Sequence, residues 1–293
     1  MNSLPQGVDL EDLLNLLRKI GWEITDLLKS YSQNAKNSFN FKNLEINELS
    51  TGPVTSADLR ANEVIINGIK NKYPQQKWFF LSEENVKDSN QYCLNKDWVW
   101  IIDPLDGTRD FINNTGEYAT HISLLFNKKN ILGVVLIPNK EELWFYLEGL
   151  GSWCELRDLQ KKYFNTTNDK KIEDLRIAIS KTHFHKELKI IIDKLKLTNI
   201  LGMGSIGYKI ASIIRGDVDL YISYSEEGKS CPKDWDMAAP EAIIRGFGGF
   251  FTDLDCNQLS FLNDPNYNQA GILIASMSNK HKEICKKIKD IYY

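Results

Sequence analysis

The sequence lacks the features that mark membrane proteins, secreted proteins and zinc fingers. It has no long uninterrupted apolar run, and its first 30 residues carry acidic side chains within an amphipathic pattern, which argues against a membrane span or a secretory signal. Its cysteines are scattered and include no C-x-x-C pair, so zinc and redox motifs are not indicated: Cys93, Cys154, Cys231, Cys256 and Cys285. Reduced thiols and a cytoplasmic location are the expectation.

An excess of basic charge is also missing. The 36 lysines and arginines are balanced by 39 aspartates and glutamates, which gives a formal net charge of −3. Because both signs are spread along the chain, no basic face large enough for polymeric DNA or RNA is evident. We therefore expect a small-molecule partner, with no nucleic-acid polymer and no membrane.

The patterns that are present predict a globular protein with several strands. The 293 residues, of which 42% are hydrophobic, can bury a substantial core. Leucines and isoleucines at helical spacing predict a helix over 10–28, and Ser56–Asp58 predicts the start of a second helix. Apolar runs predict strands at 78–81, 98–102, 121–126, 131–137 and 143–147. Turn residues between the later runs favour antiparallel or mixed pairing.

A segment of low hydrophobicity, residues 157–174, separates two halves of the chain. We predict an N-terminal α+β half over 1–156, which carries most of the candidate metal ligands, and a C-terminal α/β half over 175–293. The second half alternates again, with strands near 176–180, 219–223 and 271–275 and helices near 186–195 and 205–215, after Asp234 and from Ser278. This order of elements predicts alternating layers of helix and sheet. The predicted fold class is therefore α/β, of the α+β type.

The string D-P-L-D-G-T at Asp103–Thr108 places two carboxylates three residues apart, directly after an apolar strand. Pro104 stiffens the turn, so both acids can point to one place. Carboxylates held that close repel each other unless a hard divalent cation lies between them, and magnesium prefers oxygen ligands. Gly107 and Thr108 then supply backbone N–H groups that can meet an anion.

The complete string, followed by Arg-Asp-Phe, resembles the signature of the inositol monophosphatase-like superfamily. Further pieces appear in the family's order: V-T-S-A-D ending at Asp58, L-S-E-E around Glu83, and D-W-D-M-A-A around Asp236. The resemblance spans roughly Asp58 to Ser276. It implies a layered αβαβα sandwich of the inositol monophosphatase and fructose-1,6-bisphosphatase kind, with mixed and antiparallel sheets.

The resemblance also implies how two or three Mg²⁺ ions would be held. One ion would be bound by Glu83, Asp103 and the carbonyl of Leu105. A second would be bound by Asp103, Asp106 and Asp236, so that Asp103 bridges the two. A phosphate monoester dianion repels hydroxide, and clustered cations would remove that repulsion and lower the pKa of a water.

Three residues have catalytic roles by the same resemblance. Asp58 would support the nucleophile through Thr108 or a further, weaker metal. A water held by the metals, Glu83 and Thr108 would become the attacking hydroxide. The phosphate would lie against the amides of Gly107 and Thr108.

The C-terminal half resembles the 3'(2'),5'-bisphosphate nucleotidase branch. In that branch a basic residue precedes the W-D pair and A-P-E follows the pair, as in this sequence. Inositol monophosphatases usually have W-D-x-A-G instead. Pro240 departs from that inositol pattern. Candidate contacts to a second phosphate or to the nucleotide are Arg109, His183, Ser205, Lys209 and Lys233. Helix-start amides near Ser205 together with Lys209 would form the distal phosphate seat.

The sequence therefore predicts a magnesium-dependent, lithium-sensitive phosphomonoesterase that converts adenosine 3',5'-bisphosphate to AMP and phosphate, with the sulfated analogue as a further substrate in sulfur assimilation. One alternative is an inositol monophosphatase or sugar-phosphate phosphatase. Another is a catalytically silent nucleotide-binding protein, although every expected acid and Thr108 are intact. The chain is expected to be a monomer or a homodimer.

Overall fold

The computed structural model describes residues 4–37, 46–49, 52–86, 92–164, 169–181, 185–226 and 230–292. The helices are α1 (Leu10–Asn37), α2 (Ser56–Lys72), α3 (Thr108–Ile112), α4 (Lys186–Lys194), α5 (Ile206–Arg215), α6 (Asp234–Gly246) and α7 (His281–Tyr292). The strands are β1 (Ile46–Leu49), β2 (Gly52–Thr55), β3 (Phe79–Ser82), β4 (Trp98–Asp106), β5 (Ala119–Phe126), β6 (Lys129–Ile137), β7 (Glu142–Leu147), β8 (Gly151–Glu155), β9 (Lys161–Lys162), β10 (Arg176–Ser180), β11 (Asn199–Met203), β12 (Leu220–Ser225), β13 (Phe250–Thr252) and β14 (Gly271–Ser276).

The larger sheet has the strand order β3-β4-β5-β6-β7-β8-β9. The β3–β4 pair is parallel, and the other neighbours are antiparallel. Short connections between successive strands permit only antiparallel pairing, which explains the run of antiparallel neighbours. The predicted strands at 78–147 and their mixed arrangement are confirmed.

The smaller sheet has the order β11-β10-β12-β14-β13. The strands β10, β11 and β12 are parallel, and β14 runs antiparallel to both β12 and β13. The helices α4 and α5 provide the crossovers that parallel strands require. This sheet is therefore mixed, as predicted.

Three apolar clusters show that helices and sheets are stacked in five layers. The first cluster joins α1 and α2 to the outer face of the larger sheet, through residues such as Leu17, Ile65 and Trp100. The second lies between the two sheets and contains α5 and α6. The third joins α4 and α7 to the outer face of the smaller sheet. The order helix, sheet, helix, sheet, helix confirms the αβαβα sandwich.

Some elements differ from the sequence-based expectation. Helix α1 continues to Asn37, beyond the apolar stripe that ends at Leu28. Strand β9 lies at 161–162, so the predicted connecting segment 157–174 contributes an edge strand to the larger sheet. Helix α6 of the predicted C-terminal half buries its apolar side in the cluster between the sheets. The division into two halves stays a prediction. Among the described residues, the helices are all too short or too polar to cross a lipid bilayer.

Candidate active site

The end of β4 presents two of the acids. The pairing of β4 with β5 shifts register between Asp103 and Asp106, where Pro104 interrupts the ladder. Asp103 is buried, and its Oδ1 accepts a hydrogen bond from the Leu105 amide at 3.0 Å. Its Oδ2 is also buried and has no hydrogen-bond donor among the described residues. The irregular strand end therefore turns both carboxylates toward one place.

The start of α2 places a third acid beside the D-P-L-D-G-T turn. Thr55 caps the helix, and Asp58 closes a capping box by accepting from the Thr55 amide at 2.9 Å. The other oxygen of Asp58 lies 3.1 Å from the Thr108 hydroxyl. That hydroxyl also lies 3.1 Å from the Leu105 carbonyl. The predicted link from Asp58 to Thr108 is therefore a direct contact.

The remaining acids come from β3 and α6. Glu83 follows directly on β3, which pairs in parallel with β4. Asp236 lies in the first turn of α6, where its Oδ2 accepts from the Lys233 amide at 2.5 Å. Helix α6 thus carries one acid from the C-terminal part of the chain to the acids at the end of β4.

The pKa values of these carboxyl groups show that the acids repel one another. Burial raises the pKa of Asp103 well above its usual value, and the charges of Glu83, Asp106 and Asp236 add to the effect. Burial also raises the pKa of Glu83 well above its usual value, with Asp236 the largest charge contribution. Burial and the charge of Asp106 raise the pKa of Asp236 to about 7. Burial raises the pKa of Asp58, while bonds from Thr55 oppose the shift.

A hard divalent cation fits this donor set. The buried Asp103 oxygen has no donor, and the acids around it are pushed toward their neutral forms by burial and by one another. Oxygen donors from carboxylates and a nearby carbonyl are what magnesium prefers. A bound cation would offset the repulsion that otherwise favours protonation.

The turn after the acids allows the backbone to come close to a bound anion. Gly107 has φ of 85°, in the left-handed region, and α3 begins at the next residue. The first amides of a helix have no intrahelical acceptor, so those of Gly107 and Thr108 suit an anion beside the acids. Arg109 is exposed at the same turn.

The other predicted contacts lie in varied surroundings. The Ser205 hydroxyl caps α5 by accepting from the Tyr208 amide at 3.0 Å. Lys233 lies at the start of α6, and its ammonium donates a hydrogen bond to Asn268 Oδ1 at 2.5 Å. His183 lies outside the described residues. Substrate contact by these residues stays a prediction.

Lys209 lies deeper than a substrate contact would require. It is buried, its ammonium donates to the Gly204 carbonyl, and it lies 5.1 Å from the centre of the Tyr221 ring. Burial lowers its pKa to about 8, against the opposing charges of Asp106, Asp110 and Glu117. The α5 amides that were expected to hold a distal phosphate instead donate to Asp106 Oδ2, from Ile206 at 2.5 Å and from Gly207 at 3.3 Å. The structure thus assigns those amides to an acid of the site.

Two residues near the site were missed by the sequence analysis. His121 on β5 is fully buried, and its Nε2 lies 3.4 Å from Asp106 Oδ2. Lys181 pairs with Glu117 at 2.7 Å and with Asp110 at 3.1 Å, beside the turn that carries Gly204. A histidine that opens an otherwise apolar strand run was the available signal for His121, whereas Lys181 offered none.

The inositol monophosphatase family model matches residues 9–293 of the chain. The chain belongs to the inositol monophosphatase family. The chain is 29% identical to the 3'(2'),5'-bisphosphate nucleotidase CysQ of Haemophilus influenzae over 267 residues. The aligned region covers 89% of this chain and 93% of that protein. The chain is 31% identical over 250 residues to the protein of the same name from Buchnera aphidicola, with coverage of 83% and 88%. The sequence-based resemblance is confirmed.

A solved structure shows the same fold. The IMPase of Thermotoga maritima superposes with a TM-score of 0.74 at 20% identity, over 96% of this chain and 98% of that one. At that identity the similarity establishes the sandwich architecture alone. Family membership makes the chain a metal-dependent phosphatase.

Proposed function

We propose that this phosphatase hydrolyses the 3'-phosphate of adenosine 3',5'-bisphosphate to give AMP and phosphate, and that it also accepts the sulfated analogue. The observation that carries the phosphatase chemistry is the cluster of mutually repelling carboxyl groups beside the Asp58–Thr108 contact. The substrate assignment is supported by relatives named 3'(2'),5'-bisphosphate nucleotidase at 29% and 31% identity.

The proposed metal roles are those that the family resemblance implies. Glu83, Asp103 and the Leu105 carbonyl would hold one Mg²⁺ ion, and Asp103, Asp106 and Asp236 a second. When bound, these cations neutralise the phosphate and lower the pKa of a water. Inhibition by lithium follows if the monovalent ion occupies one of the positions without supplying the same charge.

The protein's own groups position the reactants. The Thr108 hydroxyl, held 3.1 Å from Asp58, can donate its proton to that carboxylate and so offer its lone pairs to an attacking water. Glu83, which the family resemblance places beside the same water, would accept its proton. The amides of Gly107 and Thr108 would bind the phosphate oxygens that gain charge.

Recognition of a second phosphate is assigned to basic residues around the acids. The exposed Arg109, beside the turn, is suited to a bidentate contact with a phosphate. Lys233, Ser205 and His183 are proposed as further substrate contacts. Lys209, whose buried ammonium donates to the Gly204 carbonyl, is proposed to act on the substrate indirectly, through the Gly204 turn.

The decisive experiment measures phosphate release from adenosine 3',5'-bisphosphate and from inositol 1-phosphate in parallel, each with magnesium, with chelator and with lithium. We expect magnesium-dependent, lithium-inhibited release with kcat/KM at least about tenfold higher for the nucleotide, equivalent to roughly 1.4 kcal/mol of discrimination. The Arg109→Gln variant should lose that preference while still hydrolysing inositol 1-phosphate.

Faster turnover of inositol 1-phosphate would overturn the nucleotide assignment and leave the metal centre standing. Tight nucleotide binding without phosphate release in saturating magnesium would instead indicate a silent binding protein.

A further inference from the structure

Lys181 lies beside the site and has no part in the chemistry proposed above. It directly follows β10, at the edge of the smaller sheet where β11 also ends. Its ammonium lies 2.7 Å from Glu117 Oε2 and 3.1 Å from Asp110 Oδ1, and its side chain is 35% exposed. One cation therefore joins the end of β10 to an acid of α3 and to an acid that precedes β5.

Glu117 holds the turn at 203–205 between β11 and α5, which we call the Gly204 turn. Its Oε2, the oxygen that contacts Lys181, also accepts the Gly204 amide at 2.9 Å. Its backbone carbonyl accepts the Ser205 amide at 2.8 Å. The Gly204 carbonyl in turn accepts a hydrogen bond from the ammonium of Lys209. Charge-assisted hydrogen bonds are stronger than neutral ones, so the shared Glu117 carboxylate fixes the turn.

Asp110 closes the other side of the Gly204 turn. Its Oδ1 accepts a hydrogen bond from the Thr115 hydroxyl at 2.7 Å as well as from Lys181. The turn packs directly on both acids, because a Cβ added at Gly204 would lie 2.1 Å from the Glu117 carbonyl oxygen and 2.7 Å from Asp110 Cγ. Two carboxylates that face one small turn repel each other, and the ammonium between them offsets that repulsion.

The position of this turn affects the site because α5 begins directly after it. The Ile206 amide donates to Asp106 Oδ2 at 2.5 Å, and the Gly207 amide lies 3.3 Å from the same oxygen. A displacement of Gly204 would therefore move the amides that orient Asp106. The contacts form a continuous series from the Lys181 ammonium through Glu117 and α5 to an acid of the site.

We propose that Lys181 is a positioning residue that holds Glu117 and Asp110 together, and so keeps the Gly204 turn and the α5 amides in place against Asp106. The inference rests on the proposed function for the cation that Asp106 would bind. Direct contact between Lys181 and a substrate phosphate is disfavoured, because a phosphate dianion at this ammonium would face both carboxylates. Lys181 therefore acts through Asp106.

Charge alone and positioning predict opposite effects on metal binding. Removing the ammonium makes the surroundings of the acids more negative, which by itself would strengthen the binding of a cation. Loss of the groups that orient a metal ligand weakens metal binding, typically by roughly 10–100-fold. We expect Lys181→Met to bind Mg²⁺ about tenfold more weakly than the wild type, measured by isothermal titration calorimetry without substrate.

Hydrogen exchange measured in chelator tests the contacts themselves. The Gly204, Ile206 and Gly207 amides should exchange about tenfold faster in Lys181→Met, because loss of a charge-assisted hydrogen bond shifts local opening by that order. Amides of α2 should keep their wild-type rates. Lys181→Arg keeps the charge and should restore both exchange and Mg²⁺ affinity. The matched control is Lys29→Met, since Lys29 pairs with Glu141 at 2.6 Å, is 31% exposed and should change neither.

Wild-type exchange at the α5 start in Lys181→Met would overturn the proposal whether or not a metal binds. Faster exchange throughout the chain, α2 included, would make the lysine a general stabilising residue and would also overturn it. Unchanged or tighter Mg²⁺ binding in this variant, or no rescue by Lys181→Arg, would do the same. A preference for inositol 1-phosphate, or no Mg²⁺ binding by the wild type, would count against the proposed function, while the exchange rates would still decide the role of Lys181.

Discussion

At the scale of single residues, the site consists of buried and half-buried acids that repel one another. Asp103 is 1% exposed, and the pKa of its carboxyl is raised well above the usual value by burial and by three neighbouring acids. Without a bound cation, such a cluster adds no stability to the folded state, because each negative charge makes ionisation of the neighbouring acids less favourable. The cluster is therefore suited to a bound cation and lowers the stability of the fold when no cation is bound.

Replacing Asp103 should separate these two effects. In chelator, Asp103→Asn removes one of the mutually repelling carboxyl groups and should raise the thermal midpoint, because the repulsion with Glu83, Asp106 and Asp236 is relieved. In magnesium, the same variant should show a smaller metal-induced rise in midpoint and at least about a 10³-fold loss of kcat. Thermal scans with and without magnesium check the first result. A lower midpoint in chelator would contradict the repulsion argument.

The Thr108 hydroxyl offers a second test. It lies 3.1 Å from Asp58, and removing it leaves that carboxylate without its link to the reacting water. Thr108→Ala should lower kcat about 10²–10³-fold with little change in KM, while Thr108→Ser, which keeps the hydroxyl, should stay within roughly tenfold of the wild type. Steady-state kinetics of both variants measure this. Equal losses in the two variants would assign the effect to packing of the methyl group.

At the scale of elements, the site depends on how closely α5 approaches β5. Ile206 and Gly207 donate their amides to Asp106, and Gly207 lies against the His121 ring. A glycine is needed here for space, since an added Cβ would also lie 2.9 Å from Val135 and 3.0 Å from Ala119. The start of α5 therefore serves an acid of the site.

Gly207→Ala should force α5 away from β5. Overpacking of this kind costs about 1–3 kcal/mol, and the displaced amides should also lower kcat/KM. Gly202→Ala is the matched control, because its Cβ would meet only the flexible Lys181 side chain, at 3.2 Å. Denaturant midpoints and steady-state kinetics of both variants measure the two effects. Wild-type behaviour of Gly207→Ala would mean that the contact between α5 and β5 is not needed.

Most helices and strands could be predicted from the sequence, because the spacing of apolar residues indicates which side chains are buried in each element. The strands at 98–106 and 129–137 are nearly continuous apolar runs, and they are buried on both faces between helices. Strand β11 was not predicted because most of its residues are exposed at a sheet edge. Strand β9 was not predicted because it has only two residues. The acids were found through the D-P-L-D-G-T string, whereas His121 reaches the site through cross-strand pairing that no local pattern encodes.

At the scale of the whole molecule, ion pairs connect distant parts of the smaller sheet. Asp219, before β12, accepts from Arg176 at 2.9 Å and from Lys170 at 2.8 Å. These partners outweigh burial and lower the pKa of Asp219 to about 2. A carboxyl with a depressed folded-state pKa stabilises the fold above its unfolded pKa of about 3.9, and the stabilisation is lost as pH falls toward 2.

Asp219→Asn should therefore reduce stability at neutral pH by on the order of 2 kcal/mol. The difference from the wild type should shrink as the pH falls through the window from about 4 to about 2, because the wild-type carboxyl then takes up its proton. Asp217→Asn is the control, since the Asp217 side chain is 52% exposed and forms its ion pair with Arg215. Urea midpoints between pH 2 and 7 check this. A pH-independent difference would rule out the ion pairs as its cause.

Removal of the 3'-phosphate can be followed by ³¹P nuclear magnetic resonance of adenosine 3',5'-bisphosphate during turnover with magnesium. We expect the 3'-phosphate resonance to disappear while the 5'-phosphate resonance remains, with inorganic phosphate and AMP formed in equal amounts. The Asp103→Asn variant should leave both resonances unchanged over the same time. Loss of the 5'-phosphate, or no release by the wild type under conditions in which inositol 1-phosphate is hydrolysed, would contradict the proposed nucleotidase activity.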